Sequence, residues 1–140
     1  MAAEYRSSLT EVYGRYQGVL ARRDACSNAF PQSRGIYEKA FTSWHGRHKK
    51  LIDELDQRLN MMIHSASKDE KDYARNIGKY EGAILRQREE VKQVLLQQPR
   101  AELEAECKAL PDFLQGAESD LEKQFAEELA VVRKRPVARK

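Results

Sequence analysis

His45 and His48 stand three positions apart and come closer to a ligand set than anything else in this chain. On a helix, an i, i+3 pair shares one face and could share a metal ion. Helical di-metal sites need more: inward Glu residues and a Glu-x-x-His pair on each of two helices. No Asp or Glu lies three residues before His45, His48 or His64. We therefore expect no metal and no cofactor. His48 reads as a partly buried seam residue and His64 as part of a turn. A second cluster, Asp53, Glu54 and Asp56, carries acids. Acid–base chemistry needs a desolvated cleft to shift a pKa, and these residues fall mostly off the apolar stripe, as a solvated charged face would. Cys26 and Cys107 match neither a CxxC redox motif nor a zinc pattern. They read as small, semi-buried thiols on helical faces, with a disulfide across the helices as the alternative. The chain has no P-loop, no Gly-rich phosphate cradle, no GxSxG and no HExxH. The expectation is that it is not an enzyme and takes no small-molecule substrate.

The elements that hold these residues are written in the apolar rhythm. Tyr37, Phe41, Trp44, His48, Leu51, Leu55, Leu59, Met62 and Ala66 recur every three or four positions, as one stripe on a helix does. The stripe resumes at Tyr73, Ile77, Tyr80, Ile84, Val91 and Leu95, and no proline stands between Tyr37 and Gln98. Between the runs, 64–72 is nearly free of apolar side chains. Ser67 and Glu70 have capping-box spacing there, which favours a turn near 65–67 over one continuous rod. Leu9, Val12, Tyr13, Tyr16, Val19 and Leu20 mark a first helix, ended by Pro31. After Pro99 the rhythm runs through Leu103, Cys107, Leu110, Leu114, Leu121, Phe125 and Val132. Pro111 and Gly116 interrupt it, and Ser119 with Glu122 marks a possible restart. The expected fold is all-α: an antiparallel helical bundle or coiled coil of three to four long amphipathic helices. They span about 5–29, 34–64, 68–98 and 100–132, in a single domain, 1–132, with a basic tail, 133–140.

Composition agrees. Apolar residues make up 41% of the chain and charged residues 34%, a balance that suits long helices with narrow seams. Charge is zoned. Residues 1–98 carry 17 Lys/Arg against 13 Asp/Glu, 99–132 carry 3 against 9, and the tail adds 5 basic residues. An acidic last helix beside a basic front half would help set helix register. No apolar run is long enough to span a membrane, and Met1 to Leu9 lacks a signal-peptide core. The expected location is therefore cytoplasmic.

These features point to a non-enzymatic coiled-coil interaction protein, a small subunit or adaptor of a larger complex. It would pair with other helical proteins or with itself through seam residues Trp44, Leu51, Leu55, Leu59, Ile77, Ile84 and Phe125. The alternative is a module for an anionic partner: nucleic acid, an acidic protein or a membrane surface. It would use residues 15–50 and the tail, with contacts from Arg22, Arg23, Arg47, Lys49, Lys50, Arg133, Lys134 and Arg135. A helical export chaperone is a further reading. Trp44-His45-Gly46 is similar to the WxG signature of small secreted helical-hairpin proteins, in which that tripeptide occupies the turn and a Tyr-x-x-x-Asp/Glu signal follows. The resemblance covers three residues. Here Trp44 keeps phase with Phe41 and His48, and no tyrosine has an acid four positions later, so nothing of that family's function is carried over.

Overall fold

A computed structural model describes residues 2–135, which are all-helical with no strand. Met1 and 136–140, including the tail's Arg139 and Lys140, lie outside the described residues. Helix α1 spans Ala2–Ala29, and a 3-10 turn at Pro31–Ser33 leads into α2, Arg34–Ser65. Pro31 opens that turn, where its missing N–H costs nothing. Helix α3 spans Glu70–Leu96 and α4 spans Arg100–Gln115. A second 3-10 turn, Ala117–Ser119, precedes the short α5, Leu121–Gln124, and α6, Ala126–Arg133.

The chain does turn between α2 and α3, but the cap is not the expected pair. Asp69 is the N-cap, and its carboxylate accepts from the Asp72 N–H at 2.8 Å. Ser67 bonds backward instead, donating to the Ile63 carbonyl at 2.7 Å. The same correction applies downstream. Asp120, not Ser119, caps α5 by accepting from the Lys123 N–H. In both places an aspartate one or two residues beyond the expected serine has a carboxylate in reach of the free amide. The last stretch is also more broken than one helix of 100–132. Pro111 is accommodated inside α4, and the break falls at the extended Gly116.

Residue pairs fix the layout. Helix α1 runs antiparallel to the whole C-terminal stretch: Phe30 meets Arg100, Cys26 meets Cys107, Arg22 meets Phe113, Arg15 meets Phe125 and Tyr5 meets Arg135. Helix α2 packs antiparallel to α1, with Tyr16 against Trp44 and Arg23 over Phe41. Helix α3 lies on α1 in the same direction, with Arg88 near Asp24. One apolar core fills the space among α1, α2 and the α4–α6 stretch, and Trp44, Leu9, Leu55, Leu110 and Leu129 are among its most enclosed members. No side chain of α3 is buried.

The cysteines overturn the thiol reading. Cys26 and Cys107 form a disulfide between α1 and α4, with sulfurs inside the core. Both residues hold the core-facing phase of their helices, and the antiparallel pairing of α1 with α4 brings them opposite each other.

Candidate interaction surface

Helix α2 is the ruler for the C-terminal stretch. The break after α4 leaves main-chain groups without helical partners, and α2 side chains supply them. Trp44 Nε1 donates to the Ser119 carbonyl at 3.0 Å. The Arg47 guanidinium donates to the Leu114 carbonyl. His48 accepts the Leu121 N–H at Nε2 (3.2 Å), and its Nδ1 lies 2.8 Å from the Trp44 carbonyl. With the Trp44 carbonyl at Nδ1 and the Leu121 N–H at Nε2, the contacts assign the donor role to Nδ1 and the acceptor role to Nε2. The ring stacks on Trp44 at 4.3 Å between centroids. His45 sits against Phe41 and Tyr16 instead. Among the described residues, no group of three or more His, Cys, Asp or Glu could hold a metal ion.

An ion-pair chain closes the far end. Arg58 is buried, and it donates to Glu54 at 2.8 Å and to the Arg135 carbonyl at 2.7 Å. Arg133 bonds Glu54 and Glu122, each at 2.8 Å. Burial pushes the Glu54 carboxyl up, but the bonds from Arg133 and Arg58 outweigh it and hold the group below the usual range. The pairing with Glu122 and Glu54 raises Arg133 above its ordinary value. Sequence reasoning did not single out Arg58. The signal was its i, i+4 spacing from Glu54 on a stripe edge.

The seam residues divide. Trp44, Leu51, Leu55, Leu59 and Phe125 are enclosed by this chain's own helices. Ile77 and Ile84 are half-buried on α3, outside that core. Around them the surface stays open. Leu85 is 56% exposed and Val94 64%. A groove of about 220 Å³ runs between α1 and α3, with Gly14 and Gly18 on one wall and Tyr80, Ile84 and Val91 on the other. Nothing lies within 4 Å of a Cβ built on either glycine, so the backbone is open to the groove at those two positions, between Thr10, Tyr13 and Gln17. A second hollow, of about 460 Å³, continues past Tyr80 to Arg6, Met62 and Lys79. Burial raises the pKa of the Tyr80 phenol, and burial next to Asp56 raises that of Tyr13. Both tyrosines stay neutral across physiological pH.

The basic contacts are largely spent inside the molecule. Arg22 lies over Phe113 at 4.6 Å, Arg23 over Phe41 at 4.5 Å, and Arg135 over Tyr5 at 4.2 Å. Arg47 and Arg133 hold the groups named above, and Lys49 pairs with Asp53. Lys50 and Lys134 are exposed. The basic front half does meet the C-terminal stretch, but Arg15 and Arg22 rest on aromatic faces rather than on acids. The pairing that fixes register there, Glu54 with Arg133, has the opposite polarity to the one charge zoning suggests.

No helix among the described residues is long and apolar enough to cross a membrane. Comparison with protein-family models, with curated proteins and with solved structures finds no match for this chain.

Proposed function

We propose that this chain is a non-enzymatic interaction module. A cross-linked core of α1, α2 and the C-terminal stretch presents α3 and the α1–α3 groove to an amphipathic helix of a partner protein. The observation that carries this reading is α3, which has 27 residues and not one buried side chain. Long helices owe most of their stability to packing of an apolar face, and here part of that face, Val91 and Val94, is left to solvent. Open apolar grooves between helices are where amphipathic helices dock. Arg6 and Lys79 flank the hollow, so the occupant should carry acids beside its apolar stripe. In this reading the partner helix completes a coiled-coil-like seam. The Cys26–Cys107 bond favours an oxidising compartment over the cytoplasm. The anionic-partner alternative is weakened, because most of its named cations already serve internal contacts.

A photo-crosslinker placed at Val94 tests the docking surface. It should join a helical segment of a second protein, and Val91→Asp plus Val94→Asp should abolish the adduct without lowering the thermal midpoint. An adduct at twice the chain mass would make the occupant another copy. An adduct that survives the double substitution would sink the reading. Aspartate at Leu55 and Leu59 would not serve, since both are core and the variant would report on folding.

A further inference from the structure

The α1–α3 groove and the hollow beyond Tyr80 form one path with unlike ends. The groove, about 220 Å³, has Tyr80, Ala83, Ile84 and Val91 on one side and the open backbone at Gly14 and Gly18 on the other. From Tyr80 to Val91 it follows α3 for about 16 Å, at ~1.5 Å per residue. An α-helix with its side chains is about 10–12 Å across, so a partner helix would lie over this groove. A single extended alkyl chain can lie in it. Polar groups along the way are already engaged. Thr10 donates to the Arg6 carbonyl at 2.9 Å, and Arg88 pairs with Asp24 at 3.5 Å.

The wide end differs. The hollow has about 460 Å³, within the roughly 300–1,000 Å³ typical of small-molecule sites. Met62 and Ile63 of α2 give it apolar surface, and Arg6 of α1 and Lys79 of α3 stand beside them. Both cations are exposed, and neither side chain has a hydrogen bond or ion pair among the described residues. No Asp or Glu among the described residues lines either the groove or the hollow. The whole chain carries 22 acids, so their exclusion from this path makes it selective for an anion.

We propose that the path binds a single-chain anionic amphiphile, a medium-chain fatty acid. Its alkyl chain lies in the α1–α3 groove, and its carboxylate meets Arg6 and Lys79 at the hollow. Each buried methylene adds affinity, and the charge-assisted contacts fix which end goes where. The far end offers only Arg88, which Asp24 already holds, so a second carboxylate there would go unmatched. The inference rests on the same surface as the docking reading, and it gives that surface a small ligand that competes with the partner helix. It does not need the partner to exist.

The test is calorimetric titration of the intact, oxidised chain with laurate, kept below its micelle concentration. The expected result is saturable binding of one laurate per chain. Decanoate, with two fewer methylenes to bury, should bind up to about ten-fold more weakly. Dodecyltrimethylammonium, with the same chain length and the opposite charge, should not bind. Arg6→Glu plus Lys79→Glu should abolish laurate binding, and so should Gly18→Leu, whose side chain would fill the groove without a clash at Cβ. An unchanged thermal midpoint shows that each variant folds. Lys50→Ala, away from the path, should bind as the parent does. The proposal is overturned if the cationic amphiphile binds as well as laurate, if heat appears only once micelles form, or if either folded variant keeps the parent's affinity. The Val94 adduct plays no part in this readout, so its absence would count against the partner helix alone.

Discussion

Glu54 accepts from two arginines of different origin: Arg58 on its own helix and Arg133 from the chain's far end. Its carboxyl is therefore held below the ordinary range despite partial burial. A group whose folded pKa is depressed stabilises the fold above its unfolded pKa, about 4.3 for Glu, and loses that contribution as pH falls through the folded value. Glu54→Gln should cost about 1.5–3 kcal/mol at pH 7, the range for hydrogen bonds to charged groups. The gap between variant and parent should close below about pH 4. Urea unfolding at pH 7 and pH 3 checks this, and an equal gap at both would mean that packing, not charge, is what Gln disturbs. Asp56 works the other way. Burial raises its carboxyl, so it opposes folding at neutral pH and relaxes as it protonates. Trp44 offers a second residue-scale check. Trp44→Phe keeps one aromatic ring but removes the indole N–H, which leaves the Ser119 carbonyl unpaired in the core and opens a cavity beside it, for a loss of at least about 1–3 kcal/mol in the same unfolding experiment. Periodicity alone marked Trp44 and His48 as seam residues. Their polar roles were not legible, because the groups they serve belong to a break in the chain more than 70 positions away.

At the scale of elements, periodicity located α1, α2 and α3 to within a few residues, since each carries an apolar stripe in helical phase. It could not rank them. A stripe says that a face seeks cover and is silent on whether the same chain supplies it. Helix α3 carries a stripe in the same phase, interrupted by the polar step at Gln87 and Arg88, yet α2 is enclosed and α3 is not. The acidic last stretch was legible as apolar in phase, but not as three helices. Its break depends on Gly116 and on an Asp cap one residue beyond the Ser that the spacing suggested. Unequal burial has a measurable consequence. Local opening is easiest where few side chains are buried, so amides of α3 between Tyr80 and Leu95 should exchange well before those of α2 between Trp44 and Leu59. Hydrogen exchange read by mass spectrometry resolves the two helices. Equal protection would mean that α3 shares the core's cooperativity, and that its outer face is not held in reserve for a partner.

Across the whole molecule, one covalent bond joins the front of the chain to its last third. Cys26 and Cys107 enclose a loop with a sequence separation of 81, and closing so long a loop removes much of the unfolded chain's freedom. Bonds of this kind contribute about 2–5 kcal/mol. The pairing was illegible in the sequence, because two cysteines so far apart meet only if α1 and α4 are already known to run antiparallel. Its position matters as much as its strength. The bond ties α1 to α4 ahead of the break that α2 side chains satisfy, so it holds together the partners that Trp44, Arg47 and His48 need. Replacing both cysteines by alanine should lower the thermal midpoint by about 6–15 °C, taking about 3 °C per kcal/mol for a chain of this size. Reductant should shift the parent toward the variant and leave the variant unmoved. Because the sulfurs lie in the core, at 4% and 0% exposure, a thiol reaches them only when the helices part. Reduction of the native chain should therefore be slow and should accelerate steeply in mild urea, following the opening of α4 from α1. Fast reduction in plain buffer, with a rate indifferent to urea, would mean that the two helices separate freely and that the bond does not brace the surface they present.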